Sequence, residues 1–294
     1  MSQRDSGLIQ LYAESNQEAL DMHIQAFQIA EQVSLPVMVC MDGFILTHAY
    51  EQVEIPDQEK VDTFLPAFEP RQVLDPAEPV TIGAMVGPEA FSEVKYLAHA
   101  KQMQALDLIS GVAQRFAFDF GRVSGGLIRT YRTEDAETIV VALGSVLGTI
   151  EDVIDEMREA GVRIGALGLK SFRPFPLDEV REALGGAERV VVLEKALAVG
   201  IGGIVSANVR TALSGIQLHG YTVVAGLGGR SITRESLHEL FERAIRDDLQ
   251  PLNFLDQKTE IVERELARMH QKRPSGPREQ NILRDIGVVA AGPH

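Results

Sequence analysis

Asp42 and His48 are the residues of this 294-residue chain best placed for binding chemistry. They follow an apolar run, 35–41, which we interpret as a buried strand. Ligand loops gather at the ends of parallel strands, so these two residues, with Gly43 and Phe44 beside Asp42, would lie near a cofactor or a neighbouring subunit. The alternative is a simple turn, with Gly43 present for backbone geometry and Phe44 for packing. The sequence leaves both interpretations open.

Two glycine-rich runs could bind phosphate, because a helix N-terminus that follows glycines presents free backbone N–H groups. Neither run, 200–203 or 226–230, fits the dinucleotide pattern G-x-G-x-x-G, since valine and serine occupy its last position. We therefore predict tight strand-to-helix turns at both places. In the second run the Arg230 guanidinium could still face an anionic group across an interface. Gly228, Gly229 and Arg230 are therefore candidate interface residues.

The cysteine and histidine content does not indicate a metal site. None of the seven histidines is spaced as a metal ligand. Cys40 is the only cysteine, so the chain can form neither an internal disulfide nor a cysteine-ligated cluster of its own. It lies in the apolar run 36–41, which indicates a buried structural thiol.

The composition argues against nucleic acid or membrane as a partner. A net charge of −14 and a sequence pI near 5.0 would repel both DNA and an anionic membrane. No apolar run reaches the roughly 18 residues of a spanning helix, and we find no signal peptide before the first strand. With 45% hydrophobic residues, 294 residues should form about two domains, which we expect in the cytoplasm.

The candidate residues depend on an α/β framework that is clearest in residues 137–176. The β-branched run 138–142 predicts a strand, and Thr149 is the expected N-cap of an amphipathic helix that Gly161 closes. The apolar run 162–169 predicts the next strand, buried on both faces as in a parallel sheet. Together these elements form a βαβ unit.

The same alternation continues downstream. The predicted elements are a helix at 176–184, a strand at 189–193, a helix opened by the run 200–203, a strand at 221–225 and a last helix capped by Thr233. Four strands that alternate with helices predict an α/β domain for residues 128–248, with a parallel sheet and helices on both faces.

The segments on either side predict a different organisation. Residues 1–48 contain a strand at 8–13, a helix with a Ser15/Glu18 capping box and the strand 35–41. These are too few elements to fold alone, so we interpret them as the end of another α/β domain. Residues 49–127 are interpreted as a proline-rich extended linker followed by a helix at 89–120, and residues 249–294 as an arm with one amphipathic helix near 261–271.

Seven short segments carry a resemblance to a known family. They are residues 3–7 (QRDSG), 14–19 (ESNQEA), 42–44 (DGF) with His48, 53–57 (VEIPD), 131–136 (YRTEDA), 172–176 (FRPFP) and 226–230 (GLGGR). Each segment alone is weak, but all seven in order resemble the α subunit of the 2-oxoacid:ferredoxin oxidoreductase family, and of pyruvate:ferredoxin oxidoreductase in particular.

The resemblance implies a fold for each segment. Residues 1–48 would be the C-terminal part of a pyrimidine-binding thiamine diphosphate domain, and residues 128–248 would be similar to the C-terminal domain of transketolase. In the family, the residues that contact the aminopyrimidine and the substrate carboxylate lie before the part that this chain matches. The resemblance therefore assigns no catalytic residue here. Met1 matches an internal family position, so we expect a piece of the subunit, and we favour a truncated sequence over a split gene.

The resemblance also implies a reaction, which is oxidative decarboxylation of pyruvate to acetyl-CoA. Coenzyme A would accept the acyl group, and ferredoxin or flavodoxin would accept the electrons through a partner subunit. Thiamine diphosphate and Mg²⁺ would be held mainly by another subunit, and iron–sulfur clusters by partner subunits of the β, γ and δ types, with none in this chain. We expect the isolated chain to be inactive. Two alternatives remain, the same subunit acting on 2-oxoglutarate or a branched 2-oxoacid, and a non-catalytic transketolase-like scaffold.

Overall fold

A computed structural model of the chain describes residues 1–70, 73–79, 85–268, 282–284 and 286–288. The chain divides into two compact units, Met1–Leu255 and Asp256–His294. The strands are β1 (Ile9–Tyr12), β2 (Val37–Cys40), β3 (Ile128–Tyr131), β4 (Thr138–Ala142), β5 (Ile164–Leu169), β6 (Ser171–Arg173), β7 (Arg189–Glu194), β8 (His219–Val224) and β9 (Leu252–Phe254). The helices are α1 (Asn16–Val33), α2 (Ile45–His48), α3 (Gln58–Phe64), α4 (Phe91–Phe120), α5 (Val146–Glu159), α6 (Leu177–Leu184), α7 (Val205–Ala212), α8 (Arg234–Ile245) and α9 (Thr259–Ala267). None of the helices in these ranges is both long and apolar enough to cross a membrane.

A three-stranded sheet contains the start of the chain and has the order β2-β1-β6. β1 and β2 are parallel, which agrees with the predicted α/β domain, but β6 comes from residues 171–173 and pairs antiparallel with β1. β2 is an edge strand whose residues are all partly exposed, so the prediction that it is buried is wrong. The apolar side chains of β1 and α1 share a core with Phe64 of α3 and the second half of α4.

The cap of α1 matches the predicted capping box only in part. The Glu18 backbone N–H donates to Ser15 Oγ at 3.1 Å, which confirms Ser15 as the N-cap. The Glu18 carboxylate was expected to return to the Ser15 backbone, but it accepts from the Glu14 N–H at 2.7 Å and from Lys170 Nζ at 2.6 Å. The tertiary ion pair with Lys170 holds the carboxylate away from the local partner.

The larger sheet has six strands in the order β3-β5-β4-β7-β8-β9. The four predicted strands are confirmed as β4, β5, β7 and β8, and neighbours among them pair in parallel. Two further strands extend the sheet, because β3 pairs antiparallel with β5 and β9 pairs parallel with β8. β9 lies beyond residue 248, where the sequence predicts the start of the arm.

Helices cover both faces of this sheet, as the alternation predicts. The core on one face contains side chains of α5 and α8, and the core on the other face contains side chains of α6 and α7. The last of these helices on the chain, α8, begins after Thr233, whose Oγ1 accepts from the Ser236 N–H at 3.1 Å and confirms the predicted N-cap.

The start of α5 differs from the prediction. The helix begins at Val146 with Ser145 as N-cap residue, so Thr149 lies inside it and is not the cap. Gly144 allows this early start because its φ is +80°. A side chain there would be strained, and its Cβ would lie 2.7 Å from Asp42 Oδ2. The contact with the loop after β2 therefore decides where α5 begins.

The connection between the two sheets contains more order than an extended linker. The predicted helix at 89–120 is confirmed as α4, and the unpredicted helix α3 precedes it. Phe64, at the end of α3, is fully buried and packs edge-to-face on Phe116 and Phe120 of α4. In the second unit, the helix predicted near 261–271 is present as α9. Residues 269–271 of the predicted range lie outside the described residues.

Candidate functional site

Four loops meet at one edge of the first unit, and each follows the carboxyl end of a parallel strand. They follow β2, β4, β7 and β8 and enclose a pocket of about 260 Å³. Its polar lining comes from Asp42, Ser145, Thr149, Lys195 and Arg230, with Gly43, Gly226 and Gly229 between them. The structure thus brings Asp42 and Gly43 together with Gly229 and Arg230, which the sequence could only assign to separate sites.

Asp42 is the centre of the hydrogen bonds in this pocket. Its Oδ2 accepts from the backbone N–H of Ser145 at 2.6 Å and also from the Ser145 hydroxyl. Its Oδ1 lies 3.3 Å from Lys195 Nζ. Both charged side chains are largely buried, with 16% of Asp42 and 22% of Lys195 exposed. The carboxylate therefore ties the β2 loop to the loops after β4 and β7.

Phe44 and His48 lie outside this pocket. Phe44 has a left-handed backbone (φ +73°), and its ring is 69% exposed, so it does not pack in the core of the first unit. The ring lies 4.9 Å from the His48 ring, and the Phe44 N–H donates to Thr47 Oγ1 at 2.8 Å. Gly43 has no left-handed φ, and a Cβ there would meet nothing within 4 Å. The turn therefore places the unusual geometry on Phe44 and does not require glycine at position 43.

The run 226–230 forms a tight turn after β8. Gly226, Gly228 and Gly229 all have positive φ, between 66° and 83°, and the Gly229 N–H donates to Gly226 O at 3.2 Å. Residues other than glycine rarely adopt this backbone geometry. The turn itself therefore explains why glycines occur here, and no bound phosphate is needed to explain them. Gly229 and Arg230 line the pocket, whereas Gly228 does not. Arg230 has an interaction partner in the structure.

The other glycine run, 200–203, precedes α7, whose N-terminus is closed by a residue that the sequence analysis missed. The carboxylate of Glu194 is buried and accepts from the N–H groups of Ile204 at 2.6 Å, Val205 at 2.8 Å and Ser206 at 3.2 Å. A Cβ on Gly203 would collide with this carboxylate. The run does contain a turn, in which the Gly202 N–H donates to Ala198 O at 2.8 Å, but residues 195–204 separate β7 from α7, so the connection is longer than the predicted tight turn. Glu194 accepts from the N–H groups that a phosphate would need. Only its position at the end of a β-branched strand hinted at it.

A second, larger cleft of about 550 Å³ contains a network of charges that the sequence did not indicate. Lys170 is 3% exposed and lies 2.9 Å from Glu14 and 2.6 Å from Glu18. Arg129 pairs with Glu14 and Glu151. Burial lowers the pKa of Arg129, but the hydrogen bonds to these two carboxylates outweigh it and raise the pKa. Because the acids and bases are paired, this cleft joins α1, β3, β5 and α5 and presents no free acid or base.

Cys40 at the end of β2 is partly buried rather than fully buried. Burial raises the pKa of its thiol, and burial also raises the pKa of the neighbouring Tyr12. Both groups therefore stay protonated near neutral pH, as expected for a structural thiol. Among the described residues, no three His, Cys, Asp or Glu side chains converge as a metal site.

Comparison with known proteins places this architecture in a family. Residues 1–113 match the family model described as pyruvate flavodoxin/ferredoxin oxidoreductase, thiamine diP-binding, and residues 136–237 match pyruvate:ferredoxin oxidoreductase core domain II. A solved 2-oxoglutarate:ferredoxin oxidoreductase from Magnetococcus marinus shares the fold, with a TM-score of 0.54 and 16% identity over 81% of this chain and 42% of that chain.

Curated relatives carry the same assignment. The chain is 42% identical to pyruvate synthase subunit PorA of Methanothermobacter thermautotrophicus, over 83% of this chain and 63% of the relative. It is 40% identical to PorA of Methanosarcina barkeri, over 89% of this chain and 67% of the relative. It is 34% identical to ketoisovalerate oxidoreductase subunit VorA of Pyrococcus horikoshii, over 85% of this chain and 63% of the relative. The chain thus spans about two thirds of the length of these relatives. It belongs to the pyruvate:ferredoxin oxidoreductase family, in which it aligns with the α-type subunits.

Proposed function

We propose that the chain acts as the α-type subunit, or part of it, in an enzyme that oxidatively decarboxylates pyruvate to acetyl-CoA. Thiamine diphosphate supplies the carbanion-stabilising chemistry when it is bound. Coenzyme A accepts the acyl group, and ferredoxin or flavodoxin accepts the electrons. The names of the PorA relatives and of both matching family models support this proposal.

The observation that carries the proposal is the pocket around Asp42. Ligands of parallel α/β sheets bind outside the carboxyl ends of the strands, and this pocket lies at the ends of four of them. The loops that form it also present exposed apolar side chains, namely Phe44, Ile45, Val199, Ile201 and Leu227. Apolar side chains around a polar pocket are typical of a surface that another protein segment covers. We therefore place Asp42, Gly43, Phe44 and His48 near the cofactor or a subunit interface, and Gly228, Gly229 and Arg230 at that interface.

The described residues do not fit thiamine diphosphate with its metal. A diphosphate-bound Mg²⁺ needs several oxygen ligands, and no cluster of three acidic or metal-binding side chains occurs in the described ranges. The one carboxylate of the pocket, Asp42, is already bound to Ser145 and Lys195. We propose that another subunit holds the diphosphate and Mg²⁺, and that this chain contributes a wall of the site and no catalytic residue.

The other partners follow from charge and composition. With Cys40 as the only cysteine, the chain has too few thiolates for a cluster, so partner subunits of the β, γ and δ types would carry the iron–sulfur clusters. A net charge of −14 would repel an acidic ferredoxin, so ferredoxin would dock on a cluster-bearing partner. We expect the complex in the cytoplasm.

A second candidate function is the same role with a different 2-oxoacid. The similarity to VorA favours a branched 2-oxoacid, and 2-oxoglutarate remains the other choice. Both alternative substrates are compatible with the same residues of this chain, because none of its described residues is proposed to contact the substrate. A non-catalytic scaffold is the remaining alternative, and it predicts that the pocket around Asp42 does not affect turnover.

The test is reconstitution of the chain with its partner subunits. Reduction of a viologen dye should require this chain, pyruvate and coenzyme A together, and the isolated chain should give no turnover above the blank. Replacing pyruvate by 3-methyl-2-oxobutanoate or 2-oxoglutarate identifies the substrate. Asp42→Asn should lower turnover about tenfold, because losing its charge weakens the hold on the loops after β4 and β7.

The matched control is Asp152→Asn, since Asp152 is exposed on α5 and does not line the pocket. Equal turnover in a complex prepared without this chain would contradict the proposed role. Unchanged turnover in the Asp42→Asn complex would favour the scaffold.

A further inference from the structure

A separate pocket of about 360 Å³ lies on the face of the large sheet that α6 and α7 cover, between α7, β7 and β8. It includes Val190 and Gly220, near the starts of β7 and β8, whereas Lys195 of the Asp42 pocket follows the end of β7. The closest lining residues of the two pockets along this strand, Val192 and Lys195, are three residues apart, which corresponds to about 10 Å, and the two pockets share no lining residue. A ligand here would therefore be distinct from one in the Asp42 pocket.

The walls of this pocket are mostly hydrocarbon. The aliphatic side chains that line it are Val190, Val192, Val209, Leu213, Ile216 and Leu218. The first four are buried in the core that α7 covers, and the last two are partly buried beside it. Small-molecule sites typically measure roughly 300–1,000 Å³ and are lined mainly by apolar groups, so this volume suits a ligand of only a few carbon atoms.

Arg210 is the one charged residue that lines the pocket. Its Nη1 donates to Thr222 Oγ1 at 3.3 Å. In the described part of the chain, it forms no ion pair with a carboxylate, although acidic residues outnumber basic ones by 42 to 28 in the sequence. An uncompensated guanidinium beside an apolar pocket favours a ligand with a hydrocarbon body and a carboxylate, which the planar guanidinium can bind through two parallel hydrogen bonds.

Gly220 leaves room in the wall of the pocket. It lies in β8 beside Val190 of β7 and has no left-handed φ. A Cβ added there would meet only Leu218 Cδ1, at 3.8 Å, which is an ordinary van der Waals contact. A larger side chain at this position can therefore reduce the pocket while the strand stays intact.

We propose that the pocket beside Arg210 binds a small aliphatic monocarboxylate. The hydrocarbon part packs against the valines of β7 and α7, and the carboxylate pairs with Arg210. Short fatty acids and 2-oxoacids share this chemistry, and the site would respond to one or both of them at a distance from the Asp42 pocket. The proposal does not depend on the proposed enzymatic function.

The test is equilibrium titration of the full chain by calorimetry or ligand-observed NMR. The probes are 3-methylbutanoate, its 2-oxo analogue 3-methyl-2-oxobutanoate and the neutral 3-methylbutanamide. At least one acid should bind saturably, and the amide should bind about tenfold more weakly because it lacks the charge that pairs with Arg210. The stronger of the two acids identifies the source of the ligand. Absence of saturable binding by both acids, or equal affinity of acid and amide, would overturn the proposal.

Two variants locate the binding. Gly220→Val should weaken the binding of acid and amide alike by narrowing the pocket, and Arg210→Gln should weaken acid binding about tenfold and remove the preference over the amide. Arg246→Gln is the control, because it follows α8 on the opposite face of the sheet and should leave binding unchanged. Thermal melting of each variant checks the fold, and Arg210→Gln remains informative if Gly220→Val does not fold. Unchanged affinity in both folded pocket variants would place the binding elsewhere and refute the site.

Discussion

At the N-terminus of α7, a glutamate performs the task that a bound anion performs in nucleotide-binding folds. Glu194 is 2% exposed, and it satisfies three backbone N–H groups that would otherwise lack partners. The positive end of the helix dipole further stabilises its negative charge. Gly203 is required beside it, because any Cβ there would collide with the carboxylate. The glycine run thus reflects packing around a buried side chain.

Removing this cap should destabilise the protein. We expect Glu194→Ala to lower the free energy of unfolding by about 2 kcal/mol, since it removes the acceptor of three backbone N–H groups, two of them in buried hydrogen bonds. Glu194→Gln should have a smaller effect, because it keeps one acceptor oxygen. Urea unfolding followed by circular dichroism measures both. The control Glu235→Gln changes an exposed acid in the first turn of α8 and should stay within ~0.5 kcal/mol of the parent. An equal loss in the control and in Glu194→Ala would contradict the capping role.

A second residue-scale prediction concerns acid stability at Asp247. Hydrogen bonds from Arg189 and then Tyr221 lower the pKa of this exposed carboxyl to about 2. The pKa of Asp247 is lower in the folded state than in the unfolded state, where it is roughly 3.9. The ionised group therefore stabilises the fold at pH values above that unfolded-state pKa. That contribution should disappear as pH falls from about 4 to 2.

We therefore expect Asp247→Asn to lower the melting temperature at pH 6 and to differ much less from the parent near pH 2.5. Asparagine tolerates the left-handed backbone at this position (φ +54°), so the substitution tests the charge. Asp248→Asn is the control, since Asp248 is 72% exposed and pairs with a different residue, Arg243. A difference between Asp247→Asn and the parent that is independent of pH would refute the linkage.

At the scale of elements, the charges in the 550 Å³ cleft connect the two sheets. Lys170 follows β5, and its partners are Glu14, which precedes α1, and Glu18 in the first turn of α1. Arg129 of β3 links Glu14 to Glu151 of α5. Ions in such a buried network need each other, because a charge left alone in the interior is strongly unfavourable. This network thus fixes α1 against the large sheet.

Breaking the network at Lys170 should be costly. We expect Lys170→Met to lower the free energy of unfolding by about 3 kcal/mol, because Glu14 and Glu18 would lose their buried cation. Adding Glu18→Gln should recover part of the loss, since it removes one of the uncompensated charges. Chemical denaturation measures all variants, with Lys60→Met on the exposed side of α3 as the matched control. Losses that simply add in the double variant would show that the two residues are not coupled.

At the scale of the whole molecule, the three cores follow the order of the chain, but the strands of the two sheets do not. Both cores of the large sheet are built mainly from residues 131–255, whereas the third core combines β1 and α1 with α3 and α4. β6 nevertheless leaves the region of the large sheet and completes the small one. The two sheets are therefore interleaved in sequence but retain separate cores.

This arrangement predicts unequal autonomy of the two parts. We expect residues 127–255 to fold alone, because they close both cores of the large sheet, and residues 1–48 to remain unfolded alone. Limited proteolysis followed by mass spectrometry should leave a protected fragment that begins near Gly126, in the turn where Gly125 and Gly126 both have positive φ. Compared with the sequence-based boundary at 248, the fragment should extend to include β9. Equal protection of the first 48 residues in a monomeric sample would contradict this prediction.

Local sequence determined most of the elements, since strand runs, N-caps and glycine ends depend on neighbours within a few residues, although it did not predict α3, β3, β6 or β9. The strands β4, β5, β7 and β8, the helix α1 with Ser15 as its cap and the helix α4 all lie close to the predicted ranges. The sequence also singled out the loops at Asp42 and at 226–230, because each follows a strand and contains unusual residue types. It could not indicate that these loops meet.

Tertiary structure decided the contacts between distant residues. Asp42 reaches Ser145 across 103 positions, and this contact places the N-cap of α5 at Ser145 rather than at the predicted Thr149. Lys170 likewise pairs with the Glu18 carboxylate across 152 positions, and this carboxylate accepts from the Glu14 N–H in place of the predicted Ser15 N–H. No local propensity contains such pairings, because they depend on the path of the whole chain and on which charges that path buries together. The pocket at Asp42, the cap at Glu194 and the pocket beside Arg210 therefore exist only in the folded molecule.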